Sequence, residues 1–188
     1  MSDLEQAFES CTCCGSALRG MFDRRRFLHG AGAAGLLVAA PGLAIAGPKP
    51  KYKFEAMVLS CIDPRFQKPV FRAMTERGLK GQYSKFTVAG ASIGVVSPAF
   101  QKWHKTFWDN LGASVELHSI TKVIAINHRD CGAARIAYGK EKLATREGET
   151  ETHRAAMAEF RKQAAEKQPK LGVETYLMAL GGKMETLA

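Results

Sequence analysis

The chain has 188 residues, 46% hydrophobic and 24% charged, with a net charge of +9. That is enough chain for one domain with a core of its own. The basic residues are scattered, with no aromatic-interleaved basic stripe and no familiar DNA- or RNA-binding motif, so the charge reads as a solvated surface and no nucleic-acid partner is expected.

Residues 1–46 read as an export leader. Asp23-Arg24-Arg25-Arg26-Phe27-Leu28-His29 resembles a twin-arginine (Tat) signal, with Asp and His where Ser/Thr and Lys are usual. A Gly- and Ala-rich apolar stretch, Gly30 to Leu43, follows, and Ala44-Ile45-Ala46 supplies a small-x-small cleavage pattern. The stretch is short and interrupted by Pro41, which disfavours a spanning helix. The resemblance implies a precursor handled by the Tat export machinery and a periplasmic mature chain. Cys11, Cys13 and Cys14 precede the signal and are expected to leave with it. Residues 47–52 read as a Pro- and Gly-containing linker, and residues 53–188 as the folded domain.

Two apolar runs dominate that domain. Ala56-Met57-Val58-Leu59 and Val123-Ile124-Ala125-Ile126 each read as a strand buried on both faces. The first ends in Cys61-Ile62-Asp63-Pro64-Arg65, the second in His128-Arg129-Asp130-Cys131-Gly132. In open parallel α/β sheets, sites gather beyond the carboxyl ends of the strands. Cys61 and Cys131, seventy residues apart, also suit a disulfide in an exported protein. A disulfide gives no role to His128, Asp63 or Arg65, which favours a metal.

Between and after these strands, a helix is predicted over about Lys68 to Leu79, leaving at Gly81, and a strand over Phe86 to Ala89. Gly90 to Gly94 reads as a flexible loop that lets backbone approach the site. Ser97 and Pro98 open a longer helix. Its Phe100, Trp103, Phe107, Trp108 and Leu111 recur at helical spacing, as core or subunit interface. Gly112 is expected to break or kink it, and His104 and His118 to be structural. Gly132 starts a short helix, whose N-terminal amides favour a thiolate at Cys131. Residues 140–148 read as a polar connection and 149–167 as a helix anchored by Met157 and Phe160. Thr175 to Leu187 reads as a hairpin turning on Gly181-Gly182.

Cys-x-Asp-x-Arg followed by His-x-x-Cys-Gly resembles the β-class carbonic anhydrases, from about Tyr52 to the C-terminus. The resemblance implies an α/β fold, a parallel sheet flanked by helices, here with a C-terminal hairpin. It implies Zn²⁺ held by Cys61, His128 and Cys131. Two thiolates and an imidazole suit zinc, and three protein ligands leave a fourth position open, which leans catalytic. The implied reaction is reversible hydration of CO2 to bicarbonate by zinc-bound hydroxide. The resemblance implies that Asp63 orients the nucleophile and that Arg65 holds Asp63 ionised, as the family's Asp–Arg dyad does. The resemblance also implies a homodimer or higher homo-oligomer. Two alternatives stay open: a non-catalytic zinc-binding protein with Asp63 closing the site, and a hydrolase of carbon disulfide or carbonyl sulfide.

Overall fold

The computed structural model describes residues 53–187. The leader, the linker and the three N-terminal cysteines lie outside them. Among the described residues, no helix is long and apolar enough to cross a membrane.

Five strands form one sheet: β1 (Ala56–Ser60), β2 (Tyr83–Thr87), β3 (Lys122–His128), β4 (Gly172–Met178) and β5 (Met184–Thr186). Their order across the sheet is β2-β1-β3-β4-β5. The first four are mutually parallel and β5 closes the edge antiparallel to β4. The fold is thus the predicted α/β class with a C-terminal hairpin. β1 is buried along its whole length and β3 from Val123 onward, as expected for the inner strands of a sheet covered on both faces.

Alternate residues of a strand face opposite sides. Met57, Leu59, Val123 and Ala125 enter one core, with Ile93, Phe107, Leu111 and Phe160 from the covering helices. Ala56, Val58, Ile124 and Ile126 enter the other, against Phe66, Val70 and Met74. Because Ser60 pairs with Ile126, the chain leaves β1 and β3 side by side.

Helix α1 (Gln67–Glu76) follows a 3-10 turn at Pro64–Phe66. It ends earlier than predicted. Leu79 N–H reaches the Met74 carbonyl at 2.8 Å and Gly78 N–H the Thr75 carbonyl at 2.9 Å, around Gly78 at φ 74. This paired closure needs a left-handed residue just past the helix, so Gly78 and not Gly81 is the exit. β2 likewise starts and stops before its predicted bounds.

The expected flexible loop at Gly90–Gly94 is instead a tight turn followed by α2 (Ser92–Val96), all five residues buried. Gly94 is required there, since a Cβ would stand 2.3 Å from the Ala89 carbonyl oxygen. Helix α3 (Gln101–His118) runs through Gly112 without a break. A mid-helix glycine costs about 1 kcal/mol relative to alanine, and the fully buried Phe107 and Leu111 on the same helix offset it. The aromatic stripe divides: Trp108 packs on Phe160, while Phe100 and Trp103 stack on each other nearer the surface. His104 Nε2 lies 3.0 Å from the Ser97 carbonyl and His118 packs edge-on against Phe54.

Helix α4 (Gly132–Tyr138) begins at the residue after Cys131, and α5 runs Arg146–Lys167, three residues longer at its start than predicted. The Thr145 side chain accepts from Gly148 N–H, which sets that earlier start. The hairpin turn includes Leu180 as well as the two glycines, because Ala179 N–H pairs with the Lys183 carbonyl.

Candidate metal centre

The two parallel strands deliver Cys61 and the His128–Cys131 segment to one place. One ligand atom each from Cys61, His128 and Cys131 lies within 4.8 Å of the others, and all three residues are buried. His128 stacks on Phe66 at 4.0 Å between ring centres. Its Nδ1–H donates to the Arg129 carbonyl at 2.7 Å, which fixes the tautomer and leaves the Nε2 lone pair available. Nε2 is buried with no hydrogen-bond partner among the described residues.

That orphaned atom is one reason the set fits a metal. The thiol pair is the other. The Cys61 thiol is held well below the ordinary thiol range, chiefly by a hydrogen bond from Cys131, with help from His128 and the Gly90 N–H. Cys131 shifts upward, chiefly because its thiol is hydrogen-bonded to Cys61, then through burial and the neighbouring negative charge, which outweigh the Ala133 and Ala134 amides expected to favour a thiolate. A divalent cation removes that conflict and favours two thiolates together. Burial pushes His128 down, but the Cys61 sulfur and the Arg129 carbonyl outweigh it and leave the imidazole above its usual value.

Beside the cluster, Pro64 pre-sets the 3-10 turn that Asp63 caps, and Asp63 Oδ1 accepts from Arg65 N–H at 2.9 Å. Arg65 Nε donates to both carboxylate oxygens at 3.1 Å and Nη2 to Oδ2 at 2.7 Å. The Arg65 side chain, followed by its backbone N–H, holds the Asp63 carboxyl down at about 2. The guanidinium in turn is raised by Asp63 and Asp130. Asp63 Oδ2 stands 3.9 Å from His128 Nε2.

Several residues around the site escaped sequence reasoning. Gln67 Nε2 donates to the carbonyls of Cys61 and Asp63, both at 3.1 Å, and Lys85 Nζ holds its Oε1. Asp130 accepts from Arg65 Nη1 at 2.8 Å. Glu149 takes the Asp130 N–H at 2.6 Å and Arg129 Nη1 at 3.1 Å. Deeper, Asn127 Oδ1 accepts from Ser92 N–H and Oγ–H, and its amide donates to Nδ1 of the fully buried His153.

A family model described as "Putative carbonic anhydrase" matches residues 51–164. The chain belongs to this carbonic anhydrase family. An uncharacterized protein of Rickettsia conorii is 35% identical over 131 residues, covering 70% of each chain. Another, of Rickettsia bellii, is 35% identical over 131 residues, covering 70% of this chain and 80% of its own. Among solved structures, one of tetrameric β-carbonic anhydrases from Sordaria macrospora is 15% identical with a TM-score of 0.47, covering 73% of this chain and 82% of that one. A β-carbonic anhydrase of Aspergillus fumigatus is 10% identical at 0.48, covering 80% and 94%. A carbon disulfide hydrolase in its apo form is 11% identical at 0.45, covering 73% and 80%.

Proposed function

We propose that this protein is a zinc-dependent carbonic anhydrase that interconverts CO2 and bicarbonate. The observation that carries the reading is the Asp63–Arg65 pair set against a buried Cys-His-Cys cluster, with Asp63 Oδ2 3.9 Å from the available imidazole nitrogen. Cys61, His128 and Cys131 would hold the zinc, leaving a fourth position for solvent or substrate. Zinc in such a site supplies Lewis-acid activation of water near neutral pH.

The protein's own contribution follows from the geometry. With its carboxyl held at about 2, Asp63 is ionised throughout the physiological range. A general acid needs a pKa near the working pH, so Asp63 acts as a hydrogen-bond acceptor that orients the attacking oxygen, not as a proton donor. Arg65 keeps that carboxylate charged and turned by a two-edged contact. Burial of all three ligands keeps bulk water off the sulfurs.

We further propose that residues 53–188 form the zinc domain, that the mature chain works in the periplasm after Tat export, and that it assembles as a homodimer or larger. The leader sequence supports the second statement and family membership the third.

The test is stopped-flow CO2 hydration from about pH 6.5 to 9, with zinc measured on the same sample. The expected result is hydration with about one zinc per chain, strongly depressed in Asp63→Asn and Arg65→Ala while zinc stays bound. Full zinc without hydration would overturn the reading and turn attention to a non-catalytic zinc protein or to carbon disulfide as substrate.

A further inference from the structure

Arg65 joins the two loops that carry the cluster. Nε and Nη2 hold Asp63 on the first loop. Nη1 reaches Asp130 Oδ2 at 2.8 Å on the second, and Nη2 also donates to the Asp130 carbonyl at 3.2 Å. A half-exposed arginine with a single carboxylate partner is weakly fixed, because solvent screens the pair and the long side chain has other rotamers. Two carboxylates and a carbonyl arranged around one plane define its orientation.

Asp130 reaches Arg65 with both groups because its backbone is turned to φ 57, a region that Asp and Asn tolerate better than other L residues. The turn is held from outside. Glu149, in the first turn of α5, accepts the Asp130 N–H, and its other oxygen accepts from Arg129. Asp130 Oδ1 pairs with Arg135 on α4. The aspartate between His128 and Cys131 is thus anchored to two helices and aimed at Arg65.

We infer that Asp130 is a positioning residue: it fixes the Arg65 guanidinium in the plane that holds Asp63 in its present orientation, and so keeps the open coordination position from being taken by the Asp63 carboxylate. The inference rests on the reading of this cluster as a metal centre with one position free. With Asp63 Oδ2 3.9 Å from His128 Nε2, the carboxylate stands close enough to the cluster to compete for a cation held there. Asp130 opposes that competition only through Arg65.

Azide binding to the cobalt(II)-loaded protein at one fixed pH, read from the visible absorption, tests this without turnover. Asp130→Asn removes the charge and keeps a residue that tolerates φ 57. Loss of a negative charge by itself would tighten azide. The positioning role predicts the opposite, azide bound about tenfold more weakly because Asp63 competes for the same position. In an Arg65→Ala or Asp63→Ala background, Asp130→Asn should change azide affinity by less than about twofold. Unchanged or tighter azide binding in Asp130→Asn would overturn the inference, as would equal weakening in the Arg65→Ala background. A protein that binds cobalt and azide but does not hydrate CO2 defeats the carbonic anhydrase reading and leaves this test standing. A protein that takes up no cobalt defeats both.

Discussion

Gly90 donates its backbone N–H to Cys61 Sγ over 3.2 Å, from a backbone at φ 83. The sulfur is therefore held by a group with no side chain of its own. A Cβ there would stand 3.1 Å from Ala133 Cβ and 3.2 Å from Ile93 Cβ, on top of the unfavourable φ. Gly90→Ala should cost about 1–3 kcal/mol of stability in urea denaturation, and should weaken metal affinity by misplacing Cys61. Full metal affinity in a stably folded variant would show that the amide does not set the position of the sulfur.

Gln67 braces the loop between Cys61 and Asp63 through two carbonyls. Replacing groups that orient metal ligands typically costs about 10–100-fold in affinity. Gln67→Leu should lose roughly tenfold, read by competition with a chromophoric chelator. Lys85→Met should shift affinity the same way by less, since Lys85 fixes only which way the Gln67 amide points.

His153 supplies an acid-side prediction. Burial holds its folded pKa at about 4, against 6.5 for the ordinary group. Below pH 6.5 the unfolded chain takes up a proton that the native imidazole refuses. Stability from this group is therefore full above about pH 6.5 and falls as pH drops towards 4, by about 3 kcal/mol in all. Urea midpoints of the metal-free, reduced protein should show that slope. His153→Gln should flatten it, and an unchanged slope would remove His153 as its source.

Metal removal should destabilise the fold as a whole. Zinc bound by the native site and not by the unfolded chain, at a free concentration a thousand times Kd, contributes about 4 kcal/mol. For a domain of this size that is roughly 10 °C in Tm. A chelator should lower the melting midpoint by that order, with re-addition of zinc restoring it. An unchanged midpoint would mean that the cluster holds no strongly bound ion.

How much of this was legible in the sequence depends on the distance over which each residue's role is set. Cys61, Asp63, Arg65, His128 and Cys131 stood out because each follows an apolar run, and the parallel pairing of β1 with β3 then places them together. His153 could have been found. With Ala156, Met157, Phe160 and Ala164 it repeats at helical spacing along the buried face of α5. Asp130 follows the same run, but its role, like those of Gln67 and Glu149, carried no signal, since it depends on a left-handed backbone and on contacts across loops and helices. Gly112 misled for the opposite reason. Local propensity argued for a break, and packing of Phe107 and Leu111 kept the helix whole.

The pairing of β1 with β3 also sets a schedule. The ribosome adds about 5–20 residues per second, so Cys131 follows Cys61 by roughly 4–14 s. Until then the strand that carries Cys61 has no β3 to lie against, and the His128–Cys131 segment is not yet complete. The nascent chain thus passes through a stage in which Cys61 has neither His128 nor Cys131 beside it. A reducing compartment keeps the Cys61 thiol free until β3 brings His128 and Cys131 alongside it.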